Sequence, residues 1–298
     1  MRLPDSLKNG DKVAIVCSAR FVEVTQLQEA IELLKSWGLQ VVLGRSIGKK
    51  DQQFGGTDSE RAEDLQQQLD DTEIKAIWIA KGGYGTARIL DKLNFDFYEK
   101  HPKWIIGYSD ITVLHLKLQQ LGIASLHADM PVDICSKSQN TRLSLQQSLF
   151  GKTYHINYIS NFKNQTGLAE GELVGGNLSV LYSVLGTEDL PNFKNKILFI
   201  EDLDEYLYHI DRMLLNLSRN GILSKIRGLI VGGMSSMHDN SIPFGKSAYE
   251  IVEFYTQNLD IPVAFDFPAG HLNENLALTL GRNVRLEVEG KAVNLQYL

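Results

Sequence analysis

Trp104-Ile105-Ile106-Gly107-Tyr108-Ser109-Asp110-Ile111 is an apolar run that ends on a glycine and passes at once into the amphipathic segment 111–121. A short apolar run feeding directly into helical periodicity reads as a buried strand turning sharply into a helix. The same alternation continues upstream. Segments 13–16, 40–43 and 76–80 read as strands, and 24–37, 59–69 and 85–93 as helices. Downstream, 124–127 is a further strand. Strands alternating with helices predict a mostly parallel sheet with helices on both faces.

Between 153 and 169 the pattern breaks into a polar, turn-rich stretch containing Asn157, Ser160, Asn161, Asn164 and Gly167. Alternation then resumes. Segments 197–200, 229–232 and 261–265 read as strands, and 207–217 and 248–259 as helices. The chain closes on 284–288 and 292–295, joined by Glu289-Gly290-Lys291, which predicts a hairpin. The expected fold class is α/β in two domains. Residues 1–155 form an N-terminal Rossmann- or flavodoxin-like domain, 156–168 a linker, and 169–298 a C-terminal α/β domain.

A chain of 298 residues buries a core large enough to need no disulfide staple. The net charge of −6 comes from interspersed acids and bases, which argues against nucleic acid or an anionic membrane as partner. Cys17 and Cys135 sit in apolar surroundings without metal-ligand spacing and read as inert packed thiols. The N-terminal residues lack the apolar stretch of a signal peptide, and no segment has the length and hydropathy of a membrane span. The expectation is a cytoplasmic protein.

A serine at a strand-to-helix turn projects its hydroxyl outward. The following amide, that of Asp110, then points to where negative charge would develop at a helix start. Ser109 and Asp110 equally suit capping of that helix, and Ile111 departs from the hydrolase pattern GxSxG. After the strand 76–80 comes Lys81-Gly82-Gly83-Tyr84-Gly85, whose glycines let the backbone form an anion-binding concavity. Neither nucleotide-binding pattern, GxxxxGK[ST] or GxGxxG, is present. A serine nucleophile needs a base. His127 ends a strand, and His271 follows the apolar stretch 263–267 and the turn Pro268-Ala269-Gly270, so both stand where α/β proteins place reactive groups. The orienting acid is Glu201 or Asp202, directly after the strand 197–200. Residue spacing chooses neither the acid nor the base.

Taken in order, Lys81-Gly82-Gly83-Tyr84-Gly85, Gly107-Tyr108-Ser109-Asp110, Gly175-Gly176-Asn177, Ile200-Glu201-Asp202 and Gly270-His271 make a combination that resembles the LD-carboxypeptidases, or muramoyltetrapeptide carboxypeptidases. That serine peptidase family also contains the microcin C self-immunity hydrolases. Asn9-Gly10-Asp11 and Asp211-Arg212 extend the similarity across essentially the whole chain. The resemblance implies a Ser109–Glu201–His271 triad in the cleft between the domains, with an oxyanion hole from the amides of Asp110 and Gly83. It selects Glu201 over Asp202 and His271 over His127. It also implies no metal or cofactor, a homodimer, and release of terminal D-alanine from a cytoplasmic murein tetrapeptide during peptidoglycan recycling.

Lys81 stands where the family's glycine motif usually begins with Arg, and a lysine there loses bidentate geometry toward a carboxylate. Lys81, Tyr84 and Arg212 are the candidates for holding the substrate. The nearest alternative activity is microcin-immunity hydrolysis of peptidyl- or aminoacyl-nucleotide amides. That branch tends to carry a longer insertion with an aromatic residue for the adenine, whereas Trp37, Trp78 and Trp104 all lie in the first half of this chain. A non-catalytic ligand-binding protein built on the same α/β cleft is the alternative from another class.

Overall fold

The structure, a computed structural model, describes residues 1–152 and 154–298. In the first half the elements are β1 (Lys12–Val16), α1 (Gln28–Ser36), β2 (Gln40–Leu43), α2 (Asp58–Asp70), β3 (Ile74–Ile79), α3 (Asp96–Lys100), β4 (Trp104–Gly107), α4 (Thr112–Gln120), β5 (Ser125–His127) and α5 (Gln139–Leu149). Then follow β6 (His155–Ile159), β7 (Gly167–Asn177), α6 (Leu178–Ser183), β8 (Ile197–Leu203), α7 (Leu207–Arg219), β9 (Gly228–Ser235), α8 (Ala248–Thr256), β10 (Val263–Ala264), β11 (Leu278–Leu280), β12 (Asn283–Glu289) and β13 (Ala292–Tyr297).

Two sheets result. The first has the order β2-β1-β3-β4-β5-β11, parallel except for β11, which runs antiparallel to β5. The second has the order β10-β9-β8-β7-β12-β13-β6, parallel from β7 to β10 and antiparallel beyond. Its end is the expected hairpin of β12 and β13. The central parallel strands β3, β4 and β8 are apolar along nearly their full length, as strands covered on both faces must be. Apolar side chains of α4 and β4 share one buried cluster with those of β7, β8 and α7, so the core runs without a break between the sheets.

Three expectations change. Residues 85–93 do not form an α-helix; turns lead to a short 3-10 segment at Leu90–Lys92. Gly85, at φ = +149°, is far from helical, and buried side chains hold the turn that it makes. Arg61 Nη1 donates to the carbonyl of Gly85 (3.0 Å), and the amide of Thr86 donates to Asp110 Oδ2 (2.9 Å). The stretch 156–168 contains most of strand β6, paired with β13, and the start of β7; only its middle is a connection. Its polar composition reflects one wet face: Ile156 is buried, while His155, Asn157 and Ile159 point outward. The third is β10, which is shorter than the expected strand 261–265. Among the described residues, no helix is long and apolar enough to cross a membrane.

Candidate active site

Strand β4 ends at Gly107, and Ser109 follows with φ = +63°, in the left-handed region that a residue with a Cβ rarely enters. Holding an L-residue there costs roughly 1–2 kcal/mol. The surroundings enforce it. The carbonyl of Gly107 accepts from the amide of Ala128 (3.0 Å), the amide of Ile111 donates to the carbonyl of Tyr108 (3.2 Å), and the side chain of Asp110 is tied to Thr86. The hydroxyl of Ser109 thereby points away from the sheet toward the second half of the molecule.

There it meets His271, with 3.1 Å between Ser109 Oγ and His271 Nε2. His271 Nδ1 lies 2.7 Å from Glu201 Oε2, which also accepts the His271 backbone amide (3.2 Å). A carboxylate accepts only, so it fixes the ring proton on Nδ1 and leaves Nε2 to accept from the serine. Glu201 lies on β8, two residues before its end and at an irregularity in its pairing with β9, and is fully buried. Gly270, at φ = +102°, makes room for it, since a Cβ there would lie 2.7 Å from Glu201 Oε2. Burial depresses the pKa of His271, but the charge and hydrogen bond of Glu201, aided by Asp202, outweigh it and leave the imidazole above its ordinary value.

Asp202, the neighbouring acid, is occupied elsewhere. It accepts from Asn177 Nδ2 (3.0 Å) and from the amides of Ser179 (2.9 Å) and Leu203 (2.9 Å), fastening the start of α6 to β8. Burial and the Glu201 charge push its carboxyl up to about 7. His127 is also near but does not reach the serine. It is fully buried behind Tyr108, against Phe199 and His115, and neither ring nitrogen has a hydrogen-bond partner among the described residues. Burial holds it well below the usual imidazole range. Cys17 lies at the end of β1, where burial and the charge of Asp64 push the thiol up to about 12, so it is no rival nucleophile.

The Gly82-Gly83 turn runs beside the serine. A Cβ on Gly82 would lie 3.5 Å from that of Ser109, and one on Gly83 (φ = +103°) would strike Arg20 Nε at 2.4 Å. The amides of Gly83 and Asp110 have no hydrogen-bond partner among the described residues, so both are available to an incoming oxygen. Lys81 is half-buried and Tyr84 exposed on this turn. Arg212 lies on the exposed side of α7, over the ring of Tyr208 (5.5 Å). Arg20, on the loop after β1, and Ser235, whose hydroxyl holds the His271 carbonyl (2.7 Å), carry no sequence motif and emerge only from the fold. Among the described residues, no group of three or more His, Cys, Asp or Glu side chains is placed to hold a metal ion.

The LD-carboxypeptidase N-terminal domain matches residues 13–128, and the LD-carboxypeptidase C-terminal domain matches 170–286. The chain belongs to the LD-carboxypeptidase family. Among its relatives, a probable murein peptide carboxypeptidase of Bacillus subtilis is 35% identical, with 98% of this chain and 94% of that one covered. The microcin C7 self-immunity protein MccF of Escherichia coli is 28% identical, over 97% and 94% of the two chains. The crystal structure of muramoyltetrapeptide carboxypeptidase from Oxalobacter formigenes superposes with a TM-score of 0.88 at 28% identity, covering 96% of this chain and 98% of the other. The two-sheet α/β architecture is therefore that of LD-carboxypeptidases, and hydrolysis is the chemistry of the family.

Proposed function

We propose that the protein is a serine carboxypeptidase that cleaves the amide between an L-centre and a terminal D-amino acid, releasing D-alanine from murein tetrapeptide. The observation that carries this reading is the continuous hydrogen-bonded line from Glu201 through His271 to a serine held in a left-handed turn. In this mechanism His271 Nε2 takes the hydroxyl proton as Ser109 Oγ attacks the scissile carbonyl. The oxyanion settles between the Gly83 and Asp110 amides, the oxyanion hole. His271 returns the proton to the departing amine, and the terminal D-residue leaves. Water then attacks the acyl-serine ester, again deprotonated by His271, and the shortened peptide departs as the free acid. Glu201 remains ionised throughout, holding the tautomer and stabilising the imidazolium.

Lys81, Tyr84 and Arg212 are the side chains proposed to hold the substrate, and the working assembly is proposed to be a homodimer in the cytoplasm. Incubation with defined murein tri-, tetra- and pentapeptides, read by mass spectrometry, tests the reading. Tetrapeptide should lose one D-alanine, while tripeptide and pentapeptide persist. The similarity to MccF motivates one further arm, an aminoacyl-nucleotide amide. Cleavage of that compound with tetrapeptide left intact would replace the murein reading with the nucleotide one.

A further inference from the structure

The loop that carries His271 belongs to the second half of the chain and is held there by Glu201 and Ser235, yet it is also fastened from the first half. Its flanks are gripped on both sides of the histidine. The amide of Gly270 donates to Asn275 Oδ1 (2.8 Å), and the carbonyl of Leu272 accepts from Lys137 Nζ (2.9 Å). Both grips lead to one carboxylate. Asn275 Nδ2 donates to Asp129 Oδ2 (3.4 Å), and Lys137 Nζ lies 3.8 Å from that same oxygen. Asp129 follows β5, has no exposed surface, and is itself pinned: its carbonyl accepts from Trp78 Nε1 (2.8 Å) and its Oδ1 from the amide of Met130 (3.1 Å).

We infer that Asp129 is a positioning residue for the reaction, fixing the His271 imidazole on Ser109 through Asn275 and Lys137. The inference rests on the reading of His271 as the base. A buried carboxylate with an amide and an ammonium as partners is costly unless both stay in place, and here the two partners hold the residues on either side of the imidazole. A misplacement of about 1 Å at a general base can lower turnover by about 100-fold. The site has an electrostatic signature as well. His271 is faced by Glu201 and Asp202 from β8, by Tyr108 from the serine turn, and by Lys137 from the segment after β5; Asp129 is faced by Lys137, Asp133 and Tyr108. Burial pushes Asp129 up to about 6, against the pull of Lys137, so the carboxylate is charged at neutral pH and balances the ammonium. The ammonium adds to burial in lowering the pKa of His271.

Two substitutions therefore act alike on turnover and oppositely on charge. Asp129→Asn keeps the shape but leaves Lys137 unbalanced, so His271 should titrate at lower pH than in the wild type. Lys137→Met removes the ammonium, so His271 should titrate at higher pH. Both should lower kcat about 10- to 100-fold with KM changed less than about 3-fold. Titration of the His271 imidazole by NMR, without substrate, and the pH profile of tetrapeptide hydrolysis read the same displacement. Shifts in the same direction, no shifts, or kcat within about 2-fold of wild type in both variants would overturn the inference. Should Asp129→Asn fail to fold, Lys137→Met alone must still raise the His271 pKa and lower kcat. Opposite NMR shifts in a protein inert toward every peptide would instead refute the proposed function and leave the positioning role standing.

Discussion

Ser109 combines a demanding backbone with a small side chain, and the two can be separated. Ser109→Ala keeps the left-handed turn and loses the proposed nucleophile, so turnover should fall by about 1,000-fold or more with folding intact. Ser109→Gly also loses the nucleophile, but relieves the backbone, and should be about 1 kcal/mol more stable than the alanine variant in denaturant titration. Equal stabilities would show that the turn is not strained. Glu201→Gln should cost turnover by about 1,000- to 10,000-fold, because an amide can also hold the wrong tautomer. In the wild type the acidic limb of kcat/KM should lie above the ordinary imidazole value of about 6.5, since Glu201 raises His271. Without that carboxylate burial prevails, and the limb should move to lower pH. At the substrate's terminal carboxylate, the cation that reads it should lower kcat/KM about 10- to 100-fold for the free acid when removed, and far less for an amidated terminus. Lys81→Met and Arg212→Met test the two cations named from sequence, and Arg20→Met tests the guanidinium lying over Gly83.

Among the elements, β1, β3, β4, β8 and β9 were legible because burial on both faces makes them continuously apolar, whereas β7, long and polar in its first half, was not. The serine turn was legible because its strand and helix abut without a loop. Strand β6 was not, since one wet face gives it the composition of a connection, and residues 85–93 misled because Arg61 and Asp110, distant in sequence, hold Gly85 and Thr86 in a turn that is not helical. The residues of the proposed triad could be listed from position, but the choice of Glu201 and His271 came from family resemblance. What separates them from their neighbours is a set of contacts that no spacing encodes: Asp202 holds α6, and His127 lies walled in behind Tyr108. Behind the serine turn, α4 carries His115, whose Nε2 donates to the carbonyl of Gly107 (2.9 Å) and whose Nδ1 lies 2.8 Å from Ser125 Oγ. Burial pushes it down to about 4. The unfolded chain binds that proton near pH 6.5 and the folded chain only near 4. The resulting stability is complete above 6.5 and drains away as the pH falls toward 4. Asp129 and Asp202, raised by burial, act in the opposite sense over this range. Comparison with a variant isolates the histidine: between pH 7 and 5, His115→Gln should lose less stability than wild type by on the order of 2 kcal/mol. Parallel pH dependences for the two proteins would assign His115 an ordinary pKa.

At the scale of the molecule, the two halves cannot be parted along the chain without breaking a sheet. Strand β11 comes from the second half and completes the first sheet at β5. The amide of Asn177, ending β7, donates to Thr112 Oγ1 on α4 (2.9 Å), and the terminal ammonium of Met1 reaches Glu172 on β7 (3.3 Å). The buried cluster is continuous, with Ile111, Val113 and Leu114 sharing it with Leu198, Ile200 and Ile210. Exposing either half alone would uncover apolar surface on the other, at about 25 cal/mol for each Å². The chain should therefore unfold in one step although it has two sheets. The distribution of chromophores makes this measurable. Trp37, Trp78 and Trp104 all lie in the first half, so tryptophan emission reports that half, whereas far-ultraviolet circular dichroism reports both. In urea the two signals should give the same midpoint and the same slope. A proline at Thr279, in the middle of β11, removes the amide that donates to Tyr297 Oη on β13 (2.9 Å) and disturbs the strand that pairs with β5, and it should lower both midpoints together, because β11 belongs to the first sheet and comes from the second half of the chain. If emission and dichroism instead give two separate midpoints, the halves are independent folding units, joined by contacts much weaker than the continuous core requires.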